Sequence, residues 1–363
     1  MTMKNNLIAI LLALSASALA IEPVDRINPF IGTAYTGHCN PAASRPFAFV
    51  QPGPDTGTGA WEYCAGYRYE DTTIDGFSQN HVNGTGRGEM GDLLLLPFCG
   101  EKVLRKSAFS HERETASAGY YAVSLDEANV FAEMTASDHV AFHRYTFKGG
   151  RARVLVDMQH GNTCQASLVH AHVLSNRHVF AADGRTISGT TWSRKNWPAH
   201  PYSFHVEFNR PFTAKLLLPP DDPQEKGPRY VLDFDIKSDE TLLVKVAMSS
   251  SDDSRKAAAN MVAEIPHWDF DRVRAEARAA WSDVVSRIEV EGAGDDELAV
   301  LYTAMYRLCL QPNIISDAGE RPRYSTFSLW DTFRAAHPIY TILFPERVEG
   351  FMDSILAHAR RDG

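Results

Sequence analysis

The stretch Trp61–Asp92, WEYCAGYRYEDTTIDGFSQNHVNGTGRGEMGD, determines how the rest of this sequence is interpreted. Six glycines occur in it before the apolar run Leu93–Leu96 begins. Glycines at this density are typical of backbone that turns sharply or passes close to another group. We therefore predict a ligand-facing loop system on a β scaffold, with a glycine-kinked sheet edge that binds nothing as the alternative. Between the glycines lie planar groups with polar edges that suit a hydrophilic ligand: Trp61, Tyr67, Tyr69, His81, Asn83 and Arg87.

Within this stretch, Gly86–Gly91 matches the dinucleotide-binding pattern G-x-G-x-x-G. That pattern requires a strand before it and a helix after it. Here a polar loop precedes the glycines, and a predicted strand that ends at Pro97 follows them. We reject a nucleotide site on this ground.

Short segments of alternating apolar and polar residues continue on both sides of the glycine-rich stretch up to about Met248. Turn residues separate them, and Thr241–Met248 is predicted to be the last inner strand. The fold class is therefore mainly β, with a large antiparallel β-sandwich over residues 21–250. Four of the predicted strands are Tyr120–Leu125, Val140–Phe147, Ala152–Met158 and Phe204–Phe208.

Helical patterns replace the strands after Met248. We predict a helical linker over residues 251–290 and the start of an α-helical domain over residues 291–363. A favourable first-turn proline opens the last predicted helix. The individual helices are predicted at Asp271–Ile288, Asp295–Gln311, Ser328–Ala336, which would stop near Pro338, and Pro345–Arg361.

The first 20 residues have the organisation of a cleavable secretory signal peptide. Lys4 provides a basic start, Leu7–Leu14 an apolar core, and Ala18-Leu19-Ala20 an A-x-A cleavage site. We expect cleavage after Ala20 and a secreted or periplasmic product, with no membrane insertion after signal cleavage.

The composition of the chain bears on nucleic-acid binding and on the state of its cysteines. The chain has 363 residues, 44% of them hydrophobic, and a formal net charge of −9. Its Lys and Arg residues form no basic run, so we expect no nucleic-acid partner. The five cysteines are an odd number, which predicts at least one unpaired thiol unless a second chain supplies a partner.

Three ordered blocks resemble the family 92 glycoside hydrolases. They are INPFIGTAYTGHCNPAASRPFAFVQPGPDT (27–56), WEYCAGYRYEDTTIDGFSQNHVNGTGRGEMGDLLLLP (61–97) and YSTFSLWDTFRAAHPIYTILFPERV (324–348). The resemblance implies a calcium-dependent α-mannosidase acting with inversion on mannose-containing oligosaccharides or glycoprotein glycans. It also implies a sandwich followed by an (α/α)₆ barrel, of which this chain would contain only the first helices. We accordingly expect a fragment whose barrel is incomplete.

The resemblance assigns substrate contacts residue by residue. Trp61 matches a tryptophan that packs on the sugar in the leaving-group subsite, and Asp331 in SLWDTFR (328–334) matches an aspartate that accepts hydrogen bonds from mannose hydroxyls. Trp330 lies beside it, and His81 and Arg87 are predicted at the substrate interface. The structural alternatives are a sandwich-core role for Trp61, a helical surface pair between Asp331 and Arg334, and loop stabilisation by His81 and Arg87.

Calcium is predicted from the resemblance alone, with its ligands, the catalytic acid and the catalytic base all expected beyond Gly363. No residue of this chain is therefore assigned to catalysis or to a metal. Two histidine pairs have spacings that metal sites use, but neither has an obvious third ligand. They are His139 with His143, and His170 with His172, the latter predicted to share one face of a strand.

Two functions remain open. The first is a secreted, exo-acting α-mannosidase of N-glycans, with specificity for α-1,2 links if Trp61 marks that subsite. The second is a sandwich without catalysis, either a carbohydrate-binding module or an inactive remnant.

Overall fold

The protein is described by a computed structural model over residues 21–362. The predicted signal peptide, residues 1–20, lies outside the described residues. The prediction of a mainly β part followed by helices is confirmed: two antiparallel sheets form a sandwich, and helices follow it.

One sheet has six strands in the order β1-β3-β4-β9-β14-β13, and the other has nine in the order β10-β11-β12-β15-β8-β7-β6-β5-β2. The strands are β1 (Gly53–Asp55), β2 (Thr73–Ile74), β3 (Gly76–Ser78), β4 (Leu94–Cys99), β5 (Ser107–Ser117), β6 (Tyr120–Leu125), β7 (Val130–Ala136), β8 (Val140–Phe147), β9 (Ala152–Asp157), β10 (Val173–Phe180), β11 (Thr186–Ser193), β12 (His200–Phe208), β13 (Phe212–Leu218), β14 (Arg229–Phe234) and β15 (Thr241–Ser249).

The helices after the sandwich are α1 (Ser254–Glu264), α2 (Phe270–Val285), α3 (Asp295–Leu308), α4 (Leu329–Thr332), α5 (Ala336–Leu343) and α6 (Pro345–Asp362). A small two-stranded sheet, β16 (Asn313–Ile314) with β17 (Tyr324–Ser325), lies between α3 and α4. Short 3₁₀ turns occur at Pro23–Arg26, Trp61–Tyr63 and Ala166–Leu168. None of the helices in residues 21–362 combines the length and apolar character needed to cross a bilayer.

The main core lies between the two sheets. Strand β9 is central in the six-stranded sheet, with Val156 opposite Leu95 of β4 and Val154 opposite Leu232 of β14. Tyr145 of β8 packs into the same buried cluster. This burial of apolar side chains from both sheets stabilises the sandwich, because each sheet removes the other's inner face from water.

The predicted linker consists of two helices that cover the outer face of the nine-stranded sheet. Each has an aspartate at its N-cap: Asp253 accepts from the main-chain N–H of Arg255, and Asp269 from that of Arg272. Their apolar faces bury Met261 of α1 and other side chains against the sheet. The linker therefore packs on the sheet along α1 and the first part of α2, whereas Trp281 and Val284 of α2 pack against the later helices.

A third cluster joins the sandwich to the later helices. The ring of Phe47, from the segment before β1, lies 6.0 Å from the Tyr340 ring and 5.7 Å from the Phe344 ring. The main-chain N–H of Phe47 donates to the Cys309 carbonyl at 2.6 Å. The indole N–H of Trp281 donates to the Ser44 carbonyl, also at 2.6 Å. These contacts fix the helical part against the sandwich edge that holds the glycine-rich loop.

Two local predictions are wrong. The helix predicted over Ser328–Ala336 is two helices, because α4 ends at Thr332 and α5 begins at Ala336 with Pro338 in its first turn, where a proline sacrifices no helical hydrogen bond. His170 and His172 precede β10 and do not share a strand face. The main-chain N–H of His172 instead donates to the Leu168 carbonyl in a tight turn.

Candidate functional site

A cavity of about 240 Å³ lies between the glycine-rich loop of the sandwich and the segment that contains α4. It unites two regions that are distant in sequence, since one wall is the Asn83–Gly86 loop and the other includes Asp331. Its lining combines hydroxyl, amide and carboxylate groups with two aromatic rings and one imidazole. The lining residues are Asn83, Gly84, Thr85, Gly86, Gln311, Pro312, Thr326, Phe327, Ser328, Asp331, Thr332, His337 and Tyr340.

The Asn83 side chain holds the loop in place. Its Oδ1 accepts from the main-chain N–H of Asn40 at 2.8 Å, and its Nδ2 donates to Gln51 Oε1 at 2.9 Å. The following Gly84 has a φ of +70°, which favours glycine, and its N–H donates to the His38 carbonyl at 2.7 Å. Hydrogen bonds to Asn40, Gln51 and His38 therefore anchor the loop on one side, and its other side lines the cavity.

Trp61 lies beside this loop on the 3₁₀ turn Trp61–Tyr63. Its side chain is 51% exposed, which excludes the alternative of a sandwich-core tryptophan. Its indole Nε1 donates to the Gly86 carbonyl at 3.2 Å, so the polar edge predicted to be available to a ligand is already bonded. The ring packs edge-to-face on His38 with centroids 4.5 Å apart. What Trp61 presents outward is therefore apolar ring surface.

Asp331 lies in the first turn of α4, three residues after the N-cap residue Ser328. Its Oδ2 accepts a hydrogen bond from the Ser328 hydroxyl, and the carboxylate is exposed at the cavity. Among the described residues no ion pair links it to Arg334, whose guanidinium instead lies 6.0 Å from the Trp330 ring centroid. Asp331 thus keeps acceptor capacity for a ligand.

The other predicted contacts are placed outside the cavity lining. Trp330 is 78% exposed. Arg87 follows the lining residue Gly86 and is also exposed. The ring of His81 is fully buried, with Nδ1 2.7 Å from the Gln51 carbonyl oxygen and Nε2 3.0 Å from Ser78 Oγ. A substrate contact by any of the three stays a prediction, and for His81 the geometry favours the loop-stabilising alternative. Tyr67, named above among ligand-suited groups, is also buried, and its hydroxyl donates to Glu114.

Beneath the loop lies a buried carboxylate that the sequence pattern did not reveal. Asp55 Oδ1 lies 3.2 Å from His81 Nε2, and Oδ2 lies 3.5 Å from His160 Nε2. Burial would raise the pKa of Asp55, but the two imidazoles hold it well below its usual range. Burial raises the pKa of the neighbouring Asp75 to about 6. This cluster supports the loop from inside the sandwich.

The cavity also contains groups that sequence analysis missed. His337 stacks on Phe327 with centroids 6.3 Å apart, and its buried Nε2 has no hydrogen-bond partner within residues 21–362. Burial lowers the pKa of His337, which favours the neutral ring. The Tyr340 hydroxyl donates to the main-chain carbonyls of Leu308 and Gln311. His337 directly follows the helix predicted over Ser328–Ala336, and no sequence pattern pointed to it.

The described residues do not fit a metal. Across residues 21–362, no group of three or more His, Cys, Asp or Glu side chains is arranged to hold one. His143 Nε2 lies 2.8 Å from Gln79 Oε1, and burial lowers its pKa to about 3. His139 pairs with Glu264, and His170 with Glu225. No step is therefore assigned to calcium here.

Comparison with known proteins places these features in context. Residues 26–249 match the glycosyl hydrolase family 92 N-terminal domain, and residues 256–363 match the glycosyl hydrolase family 92 catalytic domain. An uncharacterized secreted glycosidase of Arthroderma benhamiae is 24% identical over 356 residues, which cover 85% of this chain and 45% of the relative.

Two solved structures from Bacteroides thetaiotaomicron share the fold. A family 92 α-mannosidase is 28% identical with a TM-score of 0.85, over 93% of this chain and 49% of that chain. A family 92 inverting mannosidase is 25% identical with a TM-score of 0.82, over 93% of this chain and 48% of that chain. The α-mannosidase has also been solved with mannoimidazole, at 28% identity and a TM-score of 0.80, over 88% of this chain and 46% of that chain. This chain spans about half the length of these relatives.

Proposed function

Because this chain belongs to glycosyl hydrolase family 92, we propose that it is the substrate-binding part of a secreted α-mannosidase. The observation that supports this most strongly is the shared cavity of Asp331 and the Asn83–Gly86 loop. Each of the two matched domains supplies one of these walls. A ligand in the cavity would therefore contact both.

The size and lining of the cavity suit a single sugar ring. Its volume of about 240 Å³ is at the small end of ligand sites, which favours a monosaccharide unit over a longer chain. A carboxylate accepts strongly from hydroxyl donors, and two adjacent hydroxyls can share the two oxygens of Asp331. We propose that Asp331 binds one terminal mannose in this way, as exo action requires.

Trp61 is proposed to receive the next sugar. Its exposed ring surface suits the C–H face of a pyranose, and the bond from its indole N–H to Gly86 fixes the ring orientation. Trp330 and Arg87 belong to the same proposal, whereas the buried ring of His81 is proposed to stabilise the loop. A preference for α-1,2-linked mannosides of N-glycans rests on Trp61 occupying this subsite.

The reaction proposed for the whole protein is hydrolysis with inversion. Inverting glycosidases use one carboxylic acid to protonate the leaving oxygen and one carboxylate to activate water, roughly 6.5–9.5 Å apart. No residue of this chain is assigned to either role, and the described residues place no metal. The chain is proposed to orient the sugar between Asp331 and Trp61, and an incomplete barrel is part of the same proposal.

A second candidate is a carbohydrate-binding sandwich without catalysis. No catalytic acid or base is assigned in this chain, which favours this candidate. It uses the same cavity as the first candidate. Under this alternative the chain binds mannose and releases no product.

Binding and hydrolysis of α-1,2-mannobiose by the purified chain, with calcium and then with a chelator, test the proposal. Product that disappears on chelation would show that this chain contains the catalytic groups. Binding without product would support the sugar site that the two candidates share, and hydrolysis by the whole protein would then separate them. Neither binding nor product, in a sample with a folded circular dichroism spectrum, would overturn the proposal.

A further inference from the structure

The connection between β11 and β12 covers the end of the glycine-rich loop. Glu89 is fully buried, and its Oε2 accepts from the main-chain N–H groups of Asn196 at 2.9 Å and of Trp197 at 2.8 Å. The side-chain amide of Asn196 donates to the Gly88 carbonyl. Because a carboxylate that accepts two main-chain N–H groups holds their backbone in place, Trp197 has a defined position beside the loop.

Trp61 binds the same loop two residues earlier. Its indole N–H donates to the Gly86 carbonyl, whereas the β11–β12 connection binds the carbonyl of Gly88. Gly86 and Arg87 are exposed and Gly88 is buried, so the loop passes from the surface to a position beneath the connection. Two residues of chain span at most about 7 Å. The attachment points of the two tryptophan segments are therefore close enough for adjoining units of one oligosaccharide.

The loop after β9 holds both tryptophan segments in place. The N–H of Gly59, just before the Trp61 turn, donates to the Thr163 carbonyl at 2.8 Å. The next residue, Cys164, has its Sγ 3.6 Å from Asn196 Oδ1 in the β11–β12 connection. The Trp61 turn and the connection thus contact neighbouring residues of one loop, which fixes their separation.

Trp197 presents ring surface and a free donor. Its side chain is half-buried, with the ring centroid 6.4 Å from that of His200. Its indole N–H makes no hydrogen bond to any of residues 21–362, unlike that of Trp61. A pyranose can pack its C–H face on an aromatic ring while a hydroxyl accepts from the donor at the ring edge. Trp197 therefore has the groups that sugar binding requires.

We propose that Trp197 binds the third unit of a linear α-mannoside, counted from the terminal mannose at Asp331. This rests on the proposed function, in which Asp331 holds the first unit and Trp61 the second. The order follows the glycine-rich loop. Asp331 shares its cavity with residues 83–86, and Trp61 binds the last of them. The connection that carries Trp197 binds Gly88. The substrate class is therefore an oligosaccharide of three or more mannose units.

The test is calorimetric titration of the full purified chain with α-1,2-mannobiose and with linear α-1,2-mannotriose. Wild type should bind the trisaccharide about fivefold more tightly, through the added contact with the Trp197 ring. Trp197→Ala should bind the two sugars equally tightly and keep the wild-type affinity for mannobiose. Trp197→Phe keeps an apolar ring but lacks the indole donor, so its ratio of affinities should lie between the two.

Trp268 provides the matched control. It is also half-buried, but it packs on Phe142 at the outer face of the nine-stranded sheet, and Trp268→Ala should keep the wild-type ratio. A folded Trp197→Ala that keeps this ratio, or that loses affinity for both sugars alike, would overturn the third subsite, while mannobiose binding by wild type would still support the proposed function. Equal affinities of wild type for the two sugars would have the same meaning. Binding of neither sugar by folded wild type would overturn the proposed function and the third subsite together.

Discussion

The imidazole Nδ1 of His139 lies 2.5 Å from Oε1 of Glu264, which joins the beginning of β8 to the end of α1. The other ring nitrogen lies 2.7 Å from the Ser316 carbonyl oxygen, in the segment that leads to α4. One buried imidazole thus connects the sandwich, the linker and the helical part that bears Asp331.

Glu264→Gln should lower the free energy of unfolding by roughly 3 kcal/mol near pH 6, because breaking a buried pair leaves one partner uncompensated. Burial would lower the pKa of His139, but Glu264 outweighs this and raises it. Burial would raise the pKa of Glu264, but His139 pulls it down. The stabilisation from His139 is complete below its ordinary pKa of about 6.5 and is lost as pH rises through the raised value. That from Glu264 is lost as pH falls through its lowered value.

Urea unfolding of wild type and Glu264→Gln between pH 4 and pH 9 measures this difference. The exposed pair Lys102–Glu127 provides the control, since Glu127→Gln should change stability by less than about 1 kcal/mol. A destabilisation by Glu264→Gln that does not vary with pH would contradict the assigned pair.

Asp75→Asn should remove a contribution to stability that decreases as pH rises, which is opposite in sign to the contribution from Glu264. The pKa of Asp75 is raised to about 6 by burial, so the folded chain holds a proton that the unfolded chain has already released. The contribution of Asp75 to stability should therefore fall as pH rises from about 4 to 6, so wild type should lose up to ~2 kcal/mol relative to the variant over this range. The variant cannot ionise and should lack this fall, as thermal unfolding at the two pH values would show. Parallel profiles for the two proteins would exclude Asp75 as the titrating group.

Asp331→Ala should weaken mannose binding by about tenfold or more, because a hydrogen bond to a charged group contributes roughly 1.5–3 kcal/mol. In the complete protein the same change should reduce turnover by orders of magnitude while the fold stays intact. Calorimetric titration of the purified chain measures the binding constant. Asp296→Asn is the matched control, because it removes an exposed carboxylate on α3 that is remote in sequence from the cavity lining. Equal affinities for all three proteins would remove Asp331 from the site.

Trp61→Ala should weaken α-1,2-mannobiose binding by about tenfold through loss of ring contact, with a smaller effect on mannose. Trp61→Phe keeps an apolar ring but loses the bond to Gly86, so it should retain part of the affinity. Comparing the two sugars shows whether Trp61 contacts the second unit. If both variants lose the same affinity for mannose and mannobiose, Trp61 does not form a separate subsite.

The sequence predicted two inner strands with their observed bounds, although both faces of each are largely buried. Tyr120–Leu125 and Val140–Phe147 have the predicted bounds, since each is a short segment rich in apolar and aromatic residues. The break between α4 and α5 was missed, because Pro338 also fits the first turn of a new helix.

The substrate contacts stay predictions. The resemblance assigned Trp61 and Asp331 to the substrate, and only the tertiary structure shows that Asp331 and the Asn83–Gly86 loop share one cavity. It also shows that the Trp61 indole N–H is bonded and that the ring of His81 faces Asp55 inside the sandwich. These contacts join residues that are 25 and 26 positions apart, so no helical or strand periodicity in the sequence could predict them.

The central claim is that a mannose ring binds between the Asn83–Gly86 loop and Asp331. Amide chemical-shift mapping of the isotopically labelled chain during titration with α-1,2-mannobiose tests it most directly. We predict saturable shifts that cluster at residues 83–86 and 326–332 and disappear in Asp331→Ala. Shifts confined to other surfaces, or none in a folded sample, would contradict the claim.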